Sequence, residues 1–248
     1  MNKRVVRGGI VSVMVIIWVI AVEIIPQSFL FANKGETTMN LSVKDNSVVQ
    51  QDIMLKPDQI LGQVKAHQAL EFAQKVLDIP EGYELKNAQR VLQNQEYAWL
   101  FRYEKSNGEN NGLHGEHYSF IVAENSMQLL GVTWMDGKFN EHELPSKEKT
   151  TTIASVFLDR IEPGLKEKLR VNFINKHDES IQVKDDKGKV FPIVVSGMKF
   201  KCYKPDTNDY AWVIVGSGDK VITYERGIIW DNGRVTEKWL HDSWLAER

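Results

Sequence analysis

The sequence predicts an α+β fold. Two successive units, each a helix packed on a small antiparallel sheet, follow an N-terminal transmembrane helix. Three observations predict this. The first thirty or so residues run from basic to apolar. A helical periodicity broken by proline and glycine then occurs twice, near residues 66–85 and 150–169. Strongly alternating segments follow each of these helices, and alternation places every second side chain on one face of a strand.

The elements follow in chain order. Lys3, Arg4 and Arg7 precede an uninterrupted apolar run from Gly8 to Val22. That is the order of a signal anchor or a secretory signal. The apolar character continues past Glu23 through Ile24, Ile25, Phe29, Leu30 and Phe31, enough for about 20 residues in a bilayer. Residues 1–32 are therefore assigned as anchor, with the basic end cytoplasmic and the body extracytoplasmic. A cleaved signal is the alternative, giving a secreted protein, although Val19 and Leu30 suit poorly the positions before Ala21 and Ala32. A buried helix of a cytosolic protein is the third reading. Residues 33–57 are polar and predict a stalk.

Unit 1 is predicted over residues 58–145 and unit 2 over 146–248, the latter with a tryptophan-rich tail. In the first helix Ala69, Phe72, Ala73, Val76 and Leu77 form one apolar face. In the second, Ile153, Val156, Phe157 and Ile161 do so. Tyr97, Trp99, Phe101 and Tyr103 share one strand face, as do Met198, Phe200 and Cys202, with Lys199 and Lys201 opposite. "HYSFIVAENSMQLLGVTWMDG" and "DYAWVIVGSGDKVITYERGIIWDNG" both lead with tyrosine, turn at a polar stretch and close with tryptophan and Asp-Gly or Asp-Asn-Gly. "YERG" accounts for the extra length of the second. Residues 171–192 read as an added strand and turn.

This recurrence of helix, Pro/Gly break and tyrosine-led strands resembles the PepSY superfamily, in particular tandem PepSY-like proteins of Gram-positive envelopes. The resemblance covers roughly residues 66–232 and rests on packing motifs. "GRVTEKWLHDSWL" is similar to the end of a family of uncharacterised extracytoplasmic proteins. The resemblance implies inhibition or regulation of an extracellular peptidase. No peptidase domain is attached, which argues against a propeptide role.

Composition narrows the function classes. At 42% hydrophobic and 26% charged residues the chain is ordinary globular protein. Without residues 1–23, 28 basic and 32 acidic residues remain, and a mildly acidic body gives no reason to expect nucleic acid. One cysteine, Cys202, excludes an intramolecular disulfide and a cysteine-rich zinc site.

Each motif with chemical potential reads as structural. "WLHDSWL" (239–245) sets His241, Asp242 and Ser243 side by side, and consecutive side chains cannot converge as a triad requires. On a helix Trp239, Leu240, Ser243 and Trp244 share an arc that excludes His241 and Asp242, which predicts a tail docking two tryptophans. "HGEH" places His114 and His117 three apart. A metal would need a further ligand, Glu116 or His142, and the turn-rich context predicts solvated loop histidines. "GSGD" with Ser217 lies between two strands and predicts a hairpin turn. "KDDKGK" with Asp185 and Asp186 predicts a turn without calcium-loop spacing. Cys202 predicts a buried, inert thiol. No residue is assigned to catalysis, cofactor binding or metal binding. The expected function is a non-catalytic, membrane-anchored binding or regulatory module that meets an envelope or secreted protein. An envelope hydrolase with an unrecognised site and a self-assembling surface protein are the alternatives.

Overall fold

The computed structural model describes residues 53–140 and 143–248. The predicted anchor and most of the stalk lie outside the described residues, and so does His142. Among the described residues no helix is long and apolar enough to cross a membrane.

The first half contains β1 (Met54–Leu55), α1 (Pro57–Ile60), α2 (Val64–Val76), β2 (Tyr83–Gln93), β3 (Glu96–Lys105), β4 (His117–Ala123) and β5 (Leu129–Met135). The second contains α3 (Lys147–Ile161), β6 (Arg170–Lys184), β7 (Val190–Lys204), β8 (Asp209–Gly216), β9 (Val221–Ile228) and the short C-terminal α4 (Asp242–Leu245). Local chemistry explains several boundaries. Ser146 caps α3 by accepting from the Lys149 N–H at 3.2 Å. Asn94 and Gln95 both adopt positive φ, which gives the β2–β3 hairpin the tight turn that matches strand twist.

The two separate small sheets expected from the sequence do not form. All nine strands belong to one antiparallel sheet in the order β1-β2-β3-β4-β5-β9-β8-β7-β6. The seam is β5 against β9, where Gly131, Val132 and Thr133 oppose Glu225, Tyr224 and Thr223. The physical reason lies in the last strand of each half. Taken alone, β5 and β9 would each leave a row of unpaired amides beside apolar side chains. Pairing them satisfies both rows and merges the two apolar faces. Met54 and Leu55, assigned to the stalk, also belong to the sheet and pair with Gln89 and Ala88.

One row of side chains crosses all nine strands in register: Leu55, Ala88, Phe101, Phe120, Val132, Tyr224, Val213, Phe200 and Ile174. This face carries α2 and α3. Ala69 and Ala73 of α2 and Ala154, Phe157, Leu158 and Ile161 of α3 bury against it in one continuous core. Phe101 and Phe120 stack with ring centroids 5.0 Å apart. Val156, expected to face inward, is 65% exposed. It lines a crevice of about 680 Å³ with Leu77, Pro80 and Trp134, and Leu158 takes the buried position instead.

The opposite face is polar across its middle. Its central row reads Arg102, Ser119, Thr133, Thr223, Ile214, Lys199 and Asn175. The next row contains Leu100, Ile121, Gly131, Glu225, Trp212, Lys201 and Phe173. The C-terminal tail lies over the first half of this face. Leu240 packs with Val91, Ala98, Leu100 and Ile121. A Cβ on Gly131 would stand 2.6 Å from Leu240 Cδ1, so only glycine lets the tail sit this close.

The sheet also coils upon itself. The Gln182 N–H on β6 donates to His114 O at 2.7 Å, and the Lys184 N–H donates to Asn110 Oδ1 at 2.8 Å. The end of β6, the outermost strand, therefore meets the loop between β3 and β4.

Candidate functional site

The polar face brings together the two motifs that the sequence singled out. His114 and His117 of "HGEH" and Leu240, His241, Asp242 and Ser243 of "WLHDSWL" line one cavity of about 430 Å³. Its remaining wall is formed by β6 residues 177–181 and by Met135. Four of the six histidines of the chain stand here: His114, His117, His177 and His241.

The tail docks through Leu240, as its arc predicts, but Asp242 is buried beside it in place of the tryptophans, and Trp239 and Trp244 are half-buried and stack edge-to-face with each other at 4.5 Å. Trp239 Nε1 donates to Leu92 O at 3.0 Å. The cause is two charges already buried on the sheet, Arg102 and Glu225. Each needs an opposite partner, and His241 and Asp242 supply them.

Arg102 donates from Nη1 to Asp242 Oδ1 at 2.7 Å and from Nη2 to Asp242 Oδ2 at 3.1 Å. Its Nε reaches Glu104 Oε1 at 2.9 Å, and Nη2 also donates to Gly112 O at 2.7 Å. The His114 N–H completes the cradle, at 2.7 Å from Asp242 Oδ2. Burial pushes the Asp242 carboxyl up, but His117, the Arg102 guanidinium and the His114 N–H together hold it below its ordinary range.

His241 turns the other way, to Glu225 Oε2 at 3.3 Å. Arg234 clamps the same carboxylate from Nη2 at 2.6 Å and from Nη1 at 3.1 Å. Burial works against the Glu225 anion, yet the hydrogen bond and charge of His241, with Arg234, bring its pKa down to about 2. Burial also opposes a charged His241, and the Glu225 hydrogen bond and charge outweigh it, so the imidazole pKa is raised. His241 and Asp242 thus serve different partners, and no hydrogen bond joins the exposed Ser243 to either of them. They form no triad.

His117 is not the solvated loop histidine that the sequence suggested. It is fully buried at the start of β4, where Nδ1 lies 3.0 Å from Gly115 O. Burial, then the nearby Arg102 charge, lowers its pKa to about 4. A neutral ring that donates from Nδ1 leaves Nε2 as an acceptor, and Nε2 has no partner among the described residues. Glu116 is buried as well, holding Gly137 N at 2.7 Å and Lys105 Nζ at 2.8 Å. Among the described residues no three His, Cys, Asp or Glu side chains converge as a metal ion requires.

The glycine of "HGEH" has a steric cause. A Cβ on Gly115 would lie 1.8 Å from Asn110 O. Gly115→Ala is expected to force the 110–116 loop outward and cost about 2 kcal/mol. Urea unfolding checks this, together with loss of the Glu116 N–H bond to Asn110 O in amide exchange.

The remaining motifs take plain structural places. Ser217 lies in the turn from β8 to β9. Asp185 closes the β6–β7 turn by accepting from the Lys187 and Lys189 N–H groups, both at 2.9 Å. Cys202 is buried in the core, and burial pushes its thiol up to about 12.

Two features flank the cavity and belong to no motif. One is the outer edge of β6. The Gln182 N–H points away from β7, and the register from Ile174 to Lys184 is unbroken. Residues 174, 176, 178 and 180 must therefore also direct their N–H and C=O groups outward. Among the described residues no strand pairs with them. Pro192, opposite Gln182, agrees with this geometry: its missing N–H would face away from β6, beyond the end of β8. The other feature is a lysine–aromatic platform. Lys201 Nζ stands 4.6 Å from the Tyr210 ring, 4.9 Å from Trp230 and 5.6 Å from Phe173. Lys199 Nζ lies 3.9 Å above Trp212.

Fold and site together define a single-sheet α+β protein with one helix-covered face and one polar face closed in part by its own tail. Searches against protein-family models, curated proteins and solved structures find no match.

Proposed function

We propose that the chain is a non-catalytic, membrane-anchored extracytoplasmic module that takes an extended segment of an envelope or secreted protein onto the β6 edge. The observation that carries this reading is the run of outward N–H and C=O groups at residues 174–180 beside an open cavity. Strand addition supplies main-chain hydrogen bonds, and neighbouring pockets read alternate side chains of the ligand. The edge is guarded against indiscriminate pairing by charge: Lys176 and Asp178 stand on it and bond to each other at 3.0 Å. A peptidase as the partner rests on the PepSY resemblance alone. The anchor and the extracytoplasmic placement rest on the basic-then-apolar order of residues 1–32.

Lys176→Pro tests the edge. It removes one outward N–H and leaves the ladder to β7 intact, since proline is tolerated where the amide faces solvent. The full chain is used as bait for solubilised envelope and secreted proteins. The wild type is expected to retain a partner that the proline variant binds about tenfold more weakly, through a lost hydrogen bond and ring bulk. A partner retained equally by both would remove the edge from the reading.

Self-association through the same edge is the second reading, favoured by exposed Val171, Phe173, Val190, Phe191 and Val194 on the β6–β7 hairpin. Sedimentation separates the two, because only self-association makes the wild type dimeric and Lys176→Pro monomeric.

A further inference from the structure

We infer that the segment received by β6 is acidic where it passes Phe173, with a carboxylate that meets Lys201. This rests on the reading of β6 as a docking edge and adds the chemistry of its occupant.

The platform is built from four neighbouring elements. Phe173 of β6 lies directly opposite Lys201 of β7, which lies opposite Trp212 of β8. Asn175 lies opposite Lys199, which lies opposite Ile214. Tyr210 and Trp230 complete the surround of Lys201. Phe173 and Trp230 are 38% and 53% exposed, so this surface is open beside the edge. The Lys201 ammonium stands against aromatic rings, and among the described residues it is not ion-paired with a carboxylate, whereas the Lys199 ammonium lies over Trp212 of β8 in the field of Glu225 and Glu179. A lysine placed like Lys201 keeps its charge partly dehydrated. An added anion is then worth more than at an ordinary surface.

The occupant's spacing follows from strand geometry. In a strand added to β6, residues facing the polar side recur every second position. One such residue lies beside Phe173 and reaches toward Lys201. The next lies beside Asn175, with the Lys199 ammonium turned away over Trp212. Two positions further on, the chain passes His177 and Glu179 at the cavity wall, where Glu179 is already bonded to His177 at 3.3 Å and favours a ligand side chain without negative charge. Lys201 thus selects an acidic residue at the end of the edge nearer Phe173. An anionic glycan would meet the same lysine but would have no use for the outward amides. That favours a polypeptide.

The probe is an alternating glutamate–threonine peptide of about eight residues, compared with its glutamine–threonine counterpart on the full chain. The acidic peptide is expected to bind at least about tenfold more tightly at low salt, and the advantage should shrink as salt screens it. Lys201→Met keeps the aliphatic stem and should abolish the difference between the peptides. Should that variant disturb folding, Lys201→Glu with a lysine–threonine peptide carries the test, and restored binding by the reversed pair supports the inference. Equal binding of the glutamate and glutamine peptides, with Lys176→Pro weakening both, overturns the acidic inference and leaves the edge standing. Tight binding of the glutamate peptide that Lys176→Pro does not weaken overturns the edge itself. No binding of either peptide overturns both.

Discussion

Asp242→Ala is expected to destabilise the protein by about 3 kcal/mol, at the lower end of the range for breaking a buried ion pair. The substitution leaves Arg102 with Glu104 and Gly112 O as its partners, and it strips the His114 N–H of its acceptor. The tail should detach before the sheet unfolds, since Thr236, Leu240 and Asp242 are its only buried residues. Urea unfolding measures the loss, and limited proteolysis should cut residues 235–248 well before the rest. Asp242→Asn retains one acceptor for the guanidinium and should fall about midway. A loss below about 1 kcal/mol for the alanine variant would mean that this pair acts as an ordinary surface bridge.

Acidification through the range between pH 6.5 and 4 is expected to remove about 3 kcal/mol of stability through His117 alone. The unfolded imidazole titrates near 6.5 and the folded one at about 4. Between those values the unfolded chain binds a proton that the fold excludes. Stability is therefore complete above pH 6.5 and falls as pH drops toward 4. Glu225 adds a second loss below pH 4.5, as its carboxyl is protonated on the way to its folded value of about 2. His241 has the opposite sign, because its raised pKa contributes stability below pH 6.5 that fades at higher pH. The thermal midpoint measured from pH 2 to 8 should slope steeply on the acid side. His117→Asn keeps an N–H for Gly115 O and should flatten the limb between pH 6.5 and 4 while sparing the limb below it. An unchanged limb would place the acid sensitivity elsewhere.

The helix-covered face was legible because its side chains follow one period. Trp99, Phe101 and Tyr103 alternate within β3, and all three are buried. Met198, Phe200 and Cys202 face the same side of β7, with Lys199 and Lys201 opposite, as alternation requires. What alternation cannot state is which strand lies beside which. The expectation of two sheets failed at β5 and β9, because pairing across ninety residues leaves no local trace. The polar face was hidden for a related reason. Arg102 stands between Phe101 and Tyr103, and Glu225 follows Tyr224, each in a run dominated by its aromatic neighbours. A signal did exist: Ser119, Thr133 and Thr223 place small polar residues at the alternate positions of three strands, and such residues seldom face an apolar layer on both sides. The tail departs from a single helical arc over residues 239–245 because its helix begins only at Asp242.

The β5–β9 seam also sets a timetable. Thr133 and Thr223 touch at 3.3 Å across 90 residues of chain. A chain made from its N-terminus completes β1 to β5 long before β9 exists. At 5–20 residues per second the delay is roughly 5–20 s. Throughout it β5 is an uncovered edge carrying Leu129, Val132 and Trp134, and the tail that will seat on Gly131 has yet to be synthesised. The interval in which this protein is most exposed to mispairing is therefore fixed by the distance along the chain between its two central strands.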